Sequence, residues 1–357
     1  MFFEPIDKNN RRHFNKLFHI DDMNKTAAEA WQEYSYYTLN NPSSFPKKQL
    51  DEFLNLDLNN IYQFKFYRDY FENRLIKLDV EDYQNDYYAV NIRPKPVTIG
   101  KYKLEYMRIK PYQVVPYDDI EIDKNYHEQS CMGYFTRAYE YLAITKDDVV
   151  WMSLDPVEIN TMKTPIKEAK GNVIAFGLGL GYFPIMAAMK KEVNRVTVIE
   201  CDPTIIRLFK ENILPLCPYK EKISIIEDDA FHFIKDNALV FEYYNFAFMD
   251  IWHNPEDGLP LFLKFEQLLA PFEIEKYYWL DVSLKAMLRR CFISLLQEVM
   301  NNESTALYYH PKTELDRIIS EMFFMTKTLH VYSYNTIYRM LDMKRIIKMF
   351  KKPLNDK

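Results

Sequence analysis

The sequence predicts an α/β fold: a doubly wound, mostly parallel sheet, preceded by a helical plus small antiparallel β N-terminal region. Three features of the 357 residues carry that prediction. Strand-like and helix-like segments alternate from residue 151 onward, the pattern of a parallel sheet with helices on both faces. Three of the chain's 7 glycines, Gly177, Gly179 and Gly181, stand in the single run V-I-A-F-G-L-G-L-G-Y-F at 173–183. Acidic residues close the strands on either side of that run and after it.

Taken in order, residues 1–85 read as mostly helical. Ile61, Phe64, Tyr67, Phe71 and Leu75 keep helical spacing over 59–78, and N-N-P-S-S-F-P at 40–46 is a loop between helices. Between 87 and 123 the runs Y-Y-A-V-N-I-R, V-T-I-G-K-Y-K-L-E-Y-M-R-I and Y-Q-V-V-P-Y predict a small antiparallel sheet. A helix is expected at 127–144 and a short strand at 149–152. Strands then follow at 172–176, 195–200, 223–227, 244–250 and 276–281. Helices are expected at 155–168, 182–191, 203–212, 229–236, 258–270 and 283–301, and again toward the C-terminus. This divides the chain into an N-terminal α+β domain, 1–148, serving as wall or lid of a substrate site, and a ligand-binding domain, 149–357, with a helical C-terminal extension.

The bulk numbers exclude several classes. A hydrophobic content of 48% supports a real core. The net charge is −5 with Lys and Arg scattered among acids, which leaves no basic stripe for a nucleic acid. The basic stretch at 344–352 reads as a solvated helix face. The opening M-F-F-E-P-I-D-K-N-N-R-R lacks the apolar run of a signal peptide. No segment reaches the ~18 uninterrupted apolar residues of a membrane span. Cys131, Cys201, Cys217 and Cys291 are far apart and lack metal-ligand spacing, so free thiols, no metal and a cytoplasmic location are expected.

Ligands of open α/β sheets bind beyond the carboxyl ends of the strands. The first such end is G-L-G-L-G, a tight turn between a buried strand and a helix N-terminus, which brings bare N–H groups to a nucleotide-like ligand. This makes the sheet Rossmann-like, but the spacing is not the G-x-G-x-x-G of a dinucleotide turn, since Tyr182 stands where the third glycine would be. The second end is V-T-V-I-E-C-D-P, where Glu200 can accept both hydroxyls of a ribose and Asp202 before Pro203 can cap a helix. The third is I-S-I-I-E-D-D-A-F. Asp229 and the N–H of Ala230 can read an adenine, or Asp228 or Asp229 can simply cap the next helix. The fourth, F-M-D-I-W-H-N-P, offers Asp250 and His253 to bind a cation or accept a proton where a substrate would meet the cofactor.

Together the glycine turn, Glu200 with its E-x-D-P tail, Asp229-Ala230 and Asp250 resemble the class I S-adenosylmethionine-dependent methyltransferases, over roughly residues 150–285. The resemblance implies S-adenosylmethionine as cofactor, its methionine part wrapped by the glycine loop, its ribose held by Glu200 and its adenine read by Asp229. The expected cofactor residues are Gly177, Leu178, Gly179, Gly181, Glu200, Cys201, Asp229, Ala230 and Asp250, and the expected catalytic residues Asp250 and His253. Upstream, D-P-V-E at 155–158 reads as a cap, an N1 proline and a reciprocal acid. Asn160 and Thr161 join the candidates because the element before the first strand often closes over the cofactor in that family.

The chain also resembles the spermidine synthase branch, which transfers an aminopropyl group. That branch has G-G-G-D-G-G at the turn and a D-S-S-D loop. Here Leu180 replaces the first acid and His253 the last, so methyl transfer to a small-molecule acceptor is the expected function, with aminopropyl transfer the alternative. Methylation of base amino groups fits less well, because D-I-W-H stands where N-P-P-Y would. A non-catalytic cofactor-binding or partner-interaction protein stays open, as does a homodimer. An NAD-dependent oxidoreductase is the weakest rival.

Overall fold

The structure, a computed structural model, describes residues 8–57, 69–300, 310–326 and 341–350. Two helices open it, α1 (Lys8–Asn40) and α2 (Pro46–Asp57). Phe14, Leu17, Phe18, Ala27, Trp31 and Tyr34 lie buried along one face of α1 at helical spacing. Next come β1 (Leu75–Leu78), α3 (Val80–Gln84) and α4 (Tyr87–Asn91). Strands β2 (Val97–Ile99), β3 (Tyr102–Ile109), β4 (Val114–Pro116), β5 (Glu121–Ile122), β6 (Glu128–Gln129), β7 (Met132–Phe135), β8 (Tyr139–Lys146) and β9 (Val149–Ser153) complete the first half.

Three expectations for this half are corrected. The helix at 127–144 is instead β6, β7 and most of β8, because β8 pairs with β3 along eight antiparallel positions, from Tyr102↔Lys146 to Ile109↔Tyr139. Half of the helix expected at 59–78 lies outside the described residues. Its end is strand β1, parallel to β7, after Asn73 turns the chain at φ 60. The expected strand-like run at 87–93 begins as α4, because the Asp86 carboxylate accepts the N–H groups of Tyr88 and Ala89 and caps a helical turn.

The second half follows the predicted alternation: α5 (Pro156–Glu168), β10 (Gly171–Phe176), α6 (Tyr182–Ala188), β11 (Val193–Glu200), α7 (Pro203–Asn212), β12 (Ile223–Glu227), α8 (Ala230–Asp236), β13 (Phe246–Met249), α9 (Pro255–Leu268), β14 (Glu275–Tyr278) and α10 (Asp281–Met300). Helices α11 (Glu314–Thr326) and α12 (Met343–Phe350) end the described chain. The five strands lie in the order β12-β11-β10-β13-β14, all parallel. All their carboxyl ends therefore point one way, and the order reverses beside β10.

One apolar core runs through both halves, with Phe14, Leu104 and Ile144 in the same buried cluster as Phe176 and Phe248. A smaller cluster gathers around Trp31 and Tyr34. Buried Glu128 at β6 accepts from Arg289 and Arg290 of α10 and ties the halves a second time. Among the described residues no helix is long and apolar enough to cross a membrane.

Candidate functional site

A cleft of about 340 Å³ opens at the carboxyl ends of β10, β11, β12 and β13. The turn after β10 forms its centre. Gly177 has φ 94, and a Cβ there would lie 1.9 Å from the Asp250 carbonyl oxygen, so the ends of β10 and β13 touch through this glycine. Gly179 has φ 48, and its Cβ position is filled by the Met152 sulfur, 2.2 Å away. Only a residue without a side chain holds both the backbone shape and the approach. Gly181 stands outside the cleft, at the N-cap of α6 and packed on the Phe209 ring.

Glu200 is fixed from both sides. Its Oε2 accepts the Leu178 N–H at 3.0 Å and its Oε1 the Asp202 N–H at 2.8 Å. A carboxylate offers about four acceptor positions, so two remain for hydroxyl donors. Asp202 caps α7 through Oδ1, and its Oδ2 accepts the Tyr102 hydroxyl at 2.6 Å. Burial pulls the Asp202 carboxyl upward, but Tyr102 and the backbone N–H groups outweigh it and leave it below its ordinary value.

At the third strand end the capping alternative is formed. Asp229 Oδ1 accepts from Phe231 and His232 at 2.9 Å each. Ala230 is the first helical residue, so its own N–H has no intrahelical acceptor. Asp228 takes the His232 ring at 2.7 Å. Asp228, Asp229 and Ala230 all line the cleft.

At the fourth, the Asp250 N–H donates to Phe176. Burial lifts the Asp250 carboxyl to about 7, and the charge of Glu200 adds to it. Glu158, also buried, departs from the expected capping box. Asp155 does cap α5, but the Glu158 carboxyl interacts with Asp250 instead of returning to the cap. Burial, then the charges of Asp250 and Asp155, holds it well above the ordinary carboxylate range. His253 is half-exposed, its Nδ1 3.0 Å from Asp257 and its ring edge-on to Trp151 at 4.3 Å. Trp252 is buried at the cleft with its indole N–H unpaired.

The cleft thus gathers Gly177, Leu178, Gly179, Glu200, Cys201, Asp229, Ala230, Asp250 and His253, and leaves Gly181 out. Asn160 and Thr161 also lie outside it. Asn160 donates to the Tyr117 carbonyl and the Tyr83 hydroxyl, and Thr161 accepts from the Trp279 indole. Both are ties between elements. Among the described residues, no group of three or more His, Cys, Asp or Glu side chains is arranged to hold a metal ion.

No family model matches this sequence, and no curated protein matches it. Solved structures that match part of this chain include a spermidine synthase from Thermotoga maritima, with a TM-score of 0.30 and 13% identity over 43% of this chain and 56% of that one. A spermidine synthase in complex with the transition state analogue AdoDATO gives a TM-score of 0.28 and 13% identity, over 43% of this chain and 55% of that one. The chain spans just over half the length of each. A likeness of this size says nothing about what the chain binds.

The lining residues missed in the sequence include Ile199, Ile205 and Ile251 and, from the first half of the chain, Tyr102 of β3, Lys146 of β8, and Trp151 and Met152 of β9. The last four belong together. They form a wall over the strand ends. The signal was K-D-D-V at 146–149, a two-residue hairpin loop in which Asp147 and Asp148 both have positive φ. The expected helix at 127–144 concealed it. Lys146 and His253 are the basic residues on this lining, against the carboxyls of Glu200, Asp202, Asp228, Asp229 and Asp250.

Proposed function

We propose that the chain is an S-adenosylmethionine-dependent methyltransferase acting on a small-molecule acceptor. One observation carries the reading: the Glu200 carboxylate is clamped between the Leu178 and Asp202 N–H groups, beside Gly177 and Gly179, with acceptor capacity left over. The residues fit the cofactor in other respects. A volume of about 340 Å³ suits a small ligand. An acidic lining suits a cationic sulfonium, and the Trp252 N–H is a buried donor still without an acceptor.

When bound, the cofactor supplies an electrophilic methyl group on sulfur. Glu200 accepts the ribose hydroxyls. Asp229 accepts from the adenine amino group while the Ala230 N–H donates to the ring. The Gly177–Gly179 backbone, free of side chains, lets the methionine part lie close. Asp250 takes the proton of the acceptor nucleophile, since a base poised near neutrality transfers protons well. His253, braced by Asp257 and Trp151, orients the acceptor. The β3–β8–β9 wall excludes water.

Aminopropyl transfer is the second reading. It draws on the acidic lining of Glu200, Asp228, Asp229 and Asp250, which an ammonium group would stabilise. Against it, the turn presents no acid: the Leu180 side chain is packed in the core, 4% exposed.

Thermal unfolding with S-adenosylmethionine, S-adenosylhomocysteine, decarboxylated S-adenosylmethionine and NAD separates the readings. A ligand at ~100 times its dissociation constant stabilises by about 2.7 kcal/mol. The first two are expected to shift the transition and Glu200→Ala to abolish the shift. No response to either sinks the methyltransferase reading, and a response to the decarboxylated form alone replaces it with aminopropyl transfer.

A further inference from the structure

Lys146 is held in place on the cleft lining without being paired. It ends β8 directly opposite Tyr102 in the β3–β8 ladder, so the two side chains share one face of the wall. Its ammonium lies 3.8 Å from the centre of the Trp151 ring and 5.4 Å from that of Tyr102. The two rings meet at 6.2 Å and 67° and hold the charge by cation–π attraction. That attraction uses the charge and leaves the three N–H donors without an acceptor. Among the described residues the ammonium has no hydrogen bond and no ion pair.

The carboxyls of the same lining answer to other donors. Glu200 takes the Leu178 and Asp202 N–H groups. Asp202 takes the Tyr102 hydroxyl and caps α7. Asp228 takes the His232 ring, and Asp229 caps α8. Asp250 keeps its proton to about 7. The hairpin acids beside Lys146, Asp147 and Asp148, are exposed. His253, edge-on to the same indole ring, has Asp257 at its Nδ1. Lys146 is therefore the cation of this lining left for an anionic group that a ligand brings.

Its position indicates which part of the ligand that is. Trp151, beneath the ammonium, is followed in β9 by Met152, whose sulfur fills the space over Gly179. Through β9, Lys146 is joined to the turn against which the methionine part of the cofactor would lie.

We infer that Lys146 is a specificity-determining residue: its ammonium receives the carboxylate of the methionine part of S-adenosylmethionine, and through it the cleft tells that cofactor from its decarboxylated form. This role rests on the cofactor reading. The test is calorimetry of the full chain with S-adenosylmethionine, decarboxylated S-adenosylmethionine and methylthioadenosine, which lacks the amino-acid end altogether. The wild type is expected to bind S-adenosylmethionine at least about tenfold more tightly than the decarboxylated form, the worth of a hydrogen bond between charged groups. Lys146→Met keeps an apolar stem against Trp151. It is expected to lose that factor for S-adenosylmethionine, and to bind the decarboxylated form and methylthioadenosine at least as well as the wild type does. Lys146→Arg, which restores the charge, is expected to recover most of the preference. Equal loss for all three ligands assigns Lys146 to the packing of the wall and overturns the role, as does a Lys146→Met chain that keeps the wild-type preference. A wild type that binds the adenosyl ligands without discriminating overturns the role of Lys146 and leaves the cofactor reading standing. A wild type that binds none of them overturns both.

Discussion

Gly177→Ala is expected to destabilise the protein by about 3–5 kcal/mol, combining left-handed strain and an overpacked contact, and to abolish cofactor binding. The new methyl group would sit 1.9 Å from the Asp250 carbonyl oxygen at φ 94. That oxygen cannot step aside cheaply. Its residue directly follows β13, and the Asp250 N–H is bonded to Phe176 at the end of β10. Relief must spread the two central strands at the point where the ligand would bind. Gly179→Ala provides the internal comparison, because the atoms in its way belong to the flexible Met152 side chain. Urea denaturation should rank Gly177→Ala well below Gly179→Ala. Equal losses would mean that backbone strain, and not contact between the strand ends, decides the cost.

Asp250→Asn is expected to lower turnover by about 10²–10⁴-fold, the usual worth of a general base, while the protein stays folded. In the wild type, kcat/KM should rise as pH passes through about 7, where Asp250 loses its proton. The same residue predicts an opposite trend in stability. The folded protein holds the Asp250 proton more tightly than the unfolded chain does. Its stabilising contribution is full below the ordinary value of 3.8 and is lost as pH rises through about 7. Unfolding measured across that interval should show stability falling with pH in the wild type and falling less steeply in Asp250→Asn. A turnover that ignores pH near 7, or a variant as active as the wild type, would remove Asp250 from the chemistry.

The β/α half was legible because its signals are local. D-P at 155–156 and 202–203 places a cap and an N1 proline at two helix starts, and α5 and α7 begin there. The strands ahead of Gly177 and Glu200 are short apolar runs that end in turns. What went unread depends on partners distant in sequence. The residues of β8 are strand because β3, its nearest paired residue thirty positions earlier, pairs with them. The 127–144 segment, judged by itself, gave no reason to prefer that ladder. The electrostatic link between Glu158 and Asp250 spans 92 positions and arises only when α5 packs over the strand ends. Asp229 shows the converse. Its capping was legible beside the ligand role proposed for it, and the cap leaves the Ala230 N–H without an intrahelical acceptor.

The Tyr102–Asp202 hydrogen bond gives the cleft a kinetic property. Asp202 both closes the N-terminus of α7 and grips the wall that covers the strand ends. Swinging that wall away breaks a charge-assisted bond worth about 1.5–3 kcal/mol, so an open form is populated at least about tenfold less than it would be without the hydroxyl. The residence time of a ligand in the cleft would then be governed by a latch on the cleft's own rim, and a Tyr102→Phe chain would exchange such a ligand faster.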